Sequence, residues 1–199
     1  MNLKKLLLSA ALLSVMASWL GAQDVPNLLR NGDLSETGEI APPLWTAAGW
    51  TFSKWNLKDG TPEAASTKWG IVKEKGNEAN QCLWVATVSP VKVMAWWQQE
   101  VKCESGETYT LSFKAKGSVG AENKSGGPGC GFYLLDPNGK WLLYQPMKEI
   151  ELSSDWKSYS FNVTVSEDTA KLGVRLGING ESGVLEMFFD DIKLVKGGK

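Results

Sequence analysis

Trp96-Trp97-Gln98-Gln99 sets two flat aromatic faces beside two amides, and Arg175 adds a guanidinium fork elsewhere in the chain. Aromatic faces stack against the apolar C–H faces of pyranose rings, while amides, carboxylates and guanidinium groups hydrogen-bond sugar hydroxyls. On a strand, neighbouring side chains point to opposite faces. Trp96 therefore travels with Gln98 and Glu100, and Trp97 with Gln99 and Val101; the sequence leaves open which set faces outward. Trp50, Trp55 and Trp69 lie in or beside an irregular stretch and are further candidate platforms. Trp141 and Tyr144 follow a turn and fall on opposite faces by parity, so one of them is available. Arg175 sits on the polar face of an otherwise apolar strand, placed to clamp hydroxyls or carboxylates bidentately or to pair with a neighbouring carboxylate. Nine of the ten tryptophans lie beyond residue 22, and Trp45, Trp84 and Trp156 are assigned to packing.

The chain has no histidine. That removes histidine-based triads, the usual zinc sites and the commonest general base at neutral pH. A glycoside hydrolase needs two carboxylates flanking the scissile bond. Glu149-Ile150-Glu151 is the close acidic spacing on an expected strand, and it lacks the further acid that clusters in jelly-roll glucanases. A polysaccharide lyase would use Tyr144 with Arg175. Neither constellation is complete, so the expectation is binding without catalysis.

The first 22 residues have the form of a secretory signal peptide, with Lys4 and Lys5 ahead of the apolar Leu6–Leu13 run and small residues at Ala17 and Ala22. The run is too short for a membrane span, so the expected location is secreted or periplasmic, without a membrane anchor. Loss of the two leader lysines leaves 19 bases against 22 acids, a net charge of about −3. No basic stripe marks a nucleic-acid partner. Residues 23–196 are expected to form one domain and 197–199 a frayed tail. Cys82, Cys103 and Cys130 allow a Cys82–Cys103 disulfide or three thiols.

Strand signals dominate. Thr108–Ala115 alternates with Tyr109, Leu111, Phe113 and Ala115 on one face; Lys157–Val165 does so through Tyr159, Phe161, Val163 and Val165. In Leu172–Ile178, Leu172, Val174, Leu176 and Ile178 share one face and Arg175, Gly177 and Asn179 the other. The Asp136-Pro137-Asn138-Gly139 turn joins Gly131–Leu135 to Lys140–Tyr144 as a hairpin. Asn179–Gly183 reads as another turn, and Pro42–Thr67 and Gly117–Gly131 as long loops. Short strands with regular turns predict an all-β sandwich of two antiparallel sheets.

Asn27-Leu28-Leu29-Arg30-Asn31-Gly32-Asp33-Leu34 and Phe188-Phe189-Asp190-Asp191-Ile192-Lys193-Leu194 bracket this chain. With Pro43-Leu44-Trp45, Gln81–Val85, Trp96–Val101, Glu104–Tyr109 and Ser154–Lys157 in order between them, it resembles carbohydrate-binding modules of families 4 and 9. The resemblance implies a galactose-binding-domain-like jelly roll that binds a polysaccharide or oligosaccharide. Such modules are normally attached to a catalytic domain, so a separate glycan-degrading enzyme is an implied partner. It also implies a structural calcium ion, for which Asp33, Glu36 and Asp190 are the available oxygen ligands. Where relatives carry Phe-Glu, this chain has Leu34-Ser35, with Glu36 one place later. The alternatives are a structural or adhesive surface protein, in which exposed tryptophans form a flat patch for protein contact, and, further off, a jelly-roll hydrolase or lyase.

Overall fold

The computed structural model describes residues 25–40, 44–56, 67–74, 77–87, 93–120, 125–182 and 185–197. The signal-peptide expectation and the end of the frayed tail fall outside them. No helix occurs among the described residues.

Thirteen strands run in chain order: β1 (Thr37–Ile40), β2 (Leu44–Ala47), β3 (Thr51–Asn56), β4 (Thr67–Glu74), β5 (Asn77–Thr87), β6 (Val93–Lys102), β7 (Thr108–Val119), β8 (Ser125–Pro128), β9 (Gly131–Leu135), β10 (Trp141–Pro146), β11 (Lys157–Thr164), β12 (Lys171–Ser182) and β13 (Leu185–Lys196). One sheet has the order β10-β9-β12-β6-β3, with β8 also paired to β12; the other has β11-β7-β13-β5-β4. All pairings are antiparallel, and β1 pairs with β2 apart from both sheets. The result is a jelly-roll β-sandwich.

The alternating faces meet between the sheets. Leu111, Phe113, Val163, Leu172, Val174, Leu176 and Ile178 are buried there, as the period-two pattern requires. Three expectations change. Part of Pro42–Thr67 is ordered as β2 and β3, and β3 pairs with β6 through Thr51–Asn56. β7 runs to Val119 and β8 occupies Ser125–Pro128, so Gly117–Gly131 is strand at both ends. β12 continues through Asn179 to Ser182, because β6 and β8 pair with it there.

The N-terminal segment is clasped to the closing strand. Asn27 donates from Nδ2 to the carbonyl of Ile192 (2.8 Å) and accepts at Oδ1 from the amide of Leu194 (2.9 Å). Leu28 N donates to Leu194 O, and Ile192 N to Gly32 O. A side chain at Gly32 would run into Asn27 and the Ile192 carbonyl, which explains the glycine in the Asn-Gly step. Leu34 sits in the left-handed region (φ 57°) and is completely buried; its packing holds a backbone conformation that bulky residues resist.

Cys82 and Cys103 do not form a disulfide; all three cysteines are thiols. β5 and β6 belong to different sheets, and Cys82 turns away from β6 with its thiol on Val72 O (3.6 Å).

Candidate functional site

The register of β6 settles its parity. Trp97 is fully buried, donates its indole N–H to Trp84 O (3.1 Å), and packs edge-on against Phe52 and Trp69. Gln99, on the same face, exchanges hydrogen bonds with the backbone of Arg30: it accepts from N (2.6 Å) and donates to O (3.0 Å). Trp97 and Gln99 are therefore structural, not candidate ligand contacts. So are Trp50, buried with its N–H on Asn31 O, and Trp69, which stacks on Phe52 at 4.5 Å. A loop tryptophan plugs the core where the alternative is an uncovered apolar edge.

Trp96, Gln98 and Glu100 face out from the six-stranded sheet. Opposite them on β12 stand Gly177, Arg175 and Gly173. The two glycines flanking Arg175 give neighbouring rings a floor. A Cβ at Gly173 would fall inside the ring of Tyr133, its partner on β9, and one at Gly177 would strike the backbone of Ala95 and Trp96. A Cβ at Gly131 would come within 2.7 Å of the Tyr144 ring. Glycine within strands marks such close approaches.

With that floor, the rings gather around one cation. The Arg175 guanidinium carbon lies 4.2 Å from the Trp96 ring centre, 4.8 Å from Tyr133 and 4.7 Å from Trp141. Tyr133 and Trp141 stack on each other at 4.8 Å with an interplanar angle of 16°. Gln98 accepts from both Trp96 Nε1 (2.8 Å) and Arg175 Nε (3.3 Å). Glu100 accepts from Tyr133 Oη (3.0 Å) and Lys171 Nζ (3.1 Å). Burial beneath the aromatic layer lowers the Arg175 pKa from its ordinary value. It raises that of Tyr144, and that of Tyr133, where the adjacent Glu100 carboxylate adds to burial.

Parity separates Trp141 from Tyr144, but β10 carries an irregularity between Trp141 and Leu143 that shifts the register by one. Both residues consequently join the same cluster. Trp55, on edge strand β3, pairs with Met94 and shares the outward face of Trp96. The layer has two depths: Trp96 and Tyr133 are almost covered, whereas Trp55, Trp141 and Tyr144 are 50%, 47% and 37% exposed. Beyond Tyr144 the face continues into a depression of about 260 Å³ lined by Met94, Asn179 and Lys148.

Tyr133, Glu100 and Lys171 were not among the sequence candidates. Glycines at alternate positions around Arg175 were the available signal, since side-chain-free positions on a polar face announce something lying across them. The acid pair changes character: Glu149–Glu151 is turn and coil, not strand, and Glu151 pairs with Lys157 (2.9 Å). Trp84 and Trp156 are half-buried on the outer face of the other sheet, where Trp84 donates to Glu186 and Lys116 lies over the Trp156 ring at 4.6 Å. Trp45 lies in β2, where only the backbone is described.

Asp33, Glu36 and Asp190 do not converge. Glu36 pairs with Arg30 (3.0 Å), Asp33 accepts from Ser35, and Asp190 accepts from Asn80 (2.7 Å) and from the amide of Asp191. Among the described residues no three His, Cys, Asp or Glu side chains gather as metal ligands. Each of the three carboxylates is engaged by a neighbouring group in this arrangement.

No family model and no curated protein matches the sequence. Solved structures match the fold. An enzymatically active domain of bacteriophage CBA120 tailspike protein 4 superimposes with a TM-score of 0.63 at 15% identity, over 86% of this chain. The chain spans only 21% of the length of that domain. A CBM4 structure matches with a TM-score of 0.55 and 20% identity, over 85% of this chain and 99% of its own. TmCBM61, solved with β-1,4-galactotriose, matches with a TM-score of 0.50 and 17% identity, over 86% and 99%. The architecture is thus the jelly roll that carbohydrate-binding modules share with parts of larger enzymes.

Proposed function

We propose that this protein is a secreted, non-catalytic carbohydrate-binding module whose ligand lies across the outer face of the six-stranded sheet. The observation that carries this is the aromatic layer of Trp96, Tyr133 and Trp141 around Arg175, with Trp55 and Tyr144 exposed beside it on one face. Exposed rings supply stacking surface, and Gln98, Glu100 and Arg175 orient hydroxyls. The fold is shared with a CBM4 structure and with a CBM61 solved with β-1,4-galactotriose, which is consistent with a carbohydrate ligand. Fold alone does not fix function, so the site chemistry bears the weight. A separate glycan-degrading enzyme is the partner proposed for a binding module of this kind.

The test is a tryptophan-fluorescence screen against xylans, β-glucans, mannans, pectins and β-1,4-galactan, with absorbance at 235 nm followed for unsaturated ends. Binding without product, lost in Trp141→Ala, is expected. Silence across all glycans defeats the proposal, and product formation replaces it with the lyase alternative.

One observation favours protein contact as a second possibility. Trp141, Leu142, Leu143 and Tyr144 are consecutive exposed residues on β10, which forms a sheet edge, and such an edge can accept a further strand. Concentration-dependent mass by light scattering, abolished by Leu142→Lys, would support it.

A further inference from the structure

We infer that the glycan taken by this face is acidic, carrying a carboxylate or sulfate ester that docks on the outward edge of Arg175. The inference rests on the carbohydrate-binding proposal and names its ligand class. Three features support it.

The first is what occupies the centre of the face. A platform for a neutral ring presents a bare indole. Here Trp96 is only 8% exposed, and the guanidinium that lies over it takes the place a stacked sugar would use. A ligand arriving at the centre meets a cation edge framed by Trp141 and Tyr144.

The second is unused donor capacity. Arginine has five N–H donors in a planar fork. Among the described residues, Arg175 spends only Nε, on Gln98, and no carboxylate forms an ion pair with it. Its remaining contacts are the faces of three rings, which attract the cation but accept no in-plane hydrogen bond. Its two terminal nitrogens match the spacing of a carboxylate or sulfate oxygen pair.

The third is local charge. Strand parity places Lys102 and Lys171 on the same outward face as Arg175 and Glu100. Among the described side chains of that face on β6 and β12, Glu100 is the single carboxylate, and it is committed to Tyr133 and Lys171. The face is therefore locally positive on a chain that is negative overall. Partial desolvation by the rings strengthens the attraction for an incoming anion.

The experiment compares matched pairs by calorimetry at low ionic strength. Oligomers of galacturonic, glucuronic and mannuronic acid are each set against their carboxyl-reduced neutral twins, and a sulfated galactan against its desulfated form. The expected result is that at least one acidic member binds about tenfold or more tighter than its twin, the size of one charge-assisted hydrogen bond. The advantage shrinks as salt is raised. Arg175→Gln brings the acidic member to the affinity of its twin, and Arg175→Lys, which keeps the charge and loses the fork, falls between. Near-UV circular dichroism verifies that both variants fold.

Neutral twins binding as well as acidic ones in every pair overturns the inference and leaves the carbohydrate-binding proposal standing. An acidic preference that survives in Arg175→Gln also overturns it. Absence of binding in every arm overturns the inference, and the parent proposal falls with it only where the neutral-glycan screen is silent as well. The uronate and sulfate arms tell which oxyanion is read.

Discussion

Gly173→Ala is a one-methyl perturbation whose cost can be worked out from the site. The new Cβ falls inside the Tyr133 ring, and backbone pairing on both sides of β12 prevents the strand from retreating. Tyr133 must swing away. It then loses its stack on Trp141, worth about 0.5–1.5 kcal/mol, and its hydrogen bond to the Glu100 carboxylate, worth about 1.5–3 kcal/mol. Replacing glycine returns about 0.4–1 kcal/mol by restricting the unfolded chain. The net destabilisation expected is about 1–4 kcal/mol. For a domain of this size that corresponds to a fall in Tm of about 2–16 °C. Chemical and thermal unfolding, followed by tryptophan fluorescence, measures it. Gly127→Ala is the control, because a Cβ there meets nothing within 4 Å. The diagnostic is a double-mutant cycle: in a Tyr133→Ala background the methyl has no ring to strike, so Gly173→Ala should be nearly silent. Equal costs in both backgrounds would refute the idea that the glycine exists to seat the ring.

Other tests separate the two faces of β6 and the two ends of the chain. Trp97→Ala should cost about 3–5 kcal/mol by opening a cavity between the sheets, whereas Trp96→Ala should cost less in stability and abolish glycan binding. Asn27→Ala should lower stability by about 1–3 kcal/mol in urea titration, since it orphans the Ile192 carbonyl and the Leu194 amide. Tyr133 has a raised folded pKa, so its contribution is fully present below the unfolded tyrosine value of about 10 and is lost as pH rises toward the folded value. Alkaline unfolding monitored at 295 nm should therefore begin above about pH 10 and shift in Tyr133→Phe. Burial pushes the Cys130 thiol up to about 12, so a disulfide reagent should reach Cys103 in the native protein and Cys130 only after denaturation.

Period-two alternation made the sandwich legible because each strand buries one face and wets the other. It identified the core face of β12 residue by residue and placed Arg175, Gly177 and Asn179 together on the opposite face. Parity also split the Trp96–Glu100 strand into its two sets. It could not choose between them, since each set holds one tryptophan and one glutamine of similar polarity. The choice is made by long-range packing, with Trp97 filling the space beside Phe52 and Trp69 and Gln99 pinning the Arg30 backbone. The register irregularity in β10 was invisible for the same reason: a single offset residue leaves composition unchanged yet moves Tyr144 to the face that holds Trp141. Tyr133 was hidden in an apolar run, Gly131–Leu135, buried throughout, where no polar alternation marks the outward position. The Asn-Gly step is legible only as part of the family resemblance, because its lateral hydrogen bonds to the closing strand depend on the pairing itself.

The order β10-β9-β12-β6-β3 has a consequence for ligand length. Exposed Trp141 and Tyr144 stand on one margin of the sheet, exposed Trp55 on the other, and Arg175 on the middle strand. Four inter-strand steps at about 4.8 Å separate the margins, a span of about 19 Å. A chain laid across the strands would count them like rungs. A short oligomer would engage the centre and one margin, while a longer one would reach Trp55 as well, so Trp55 would act as a gauge of polymer length.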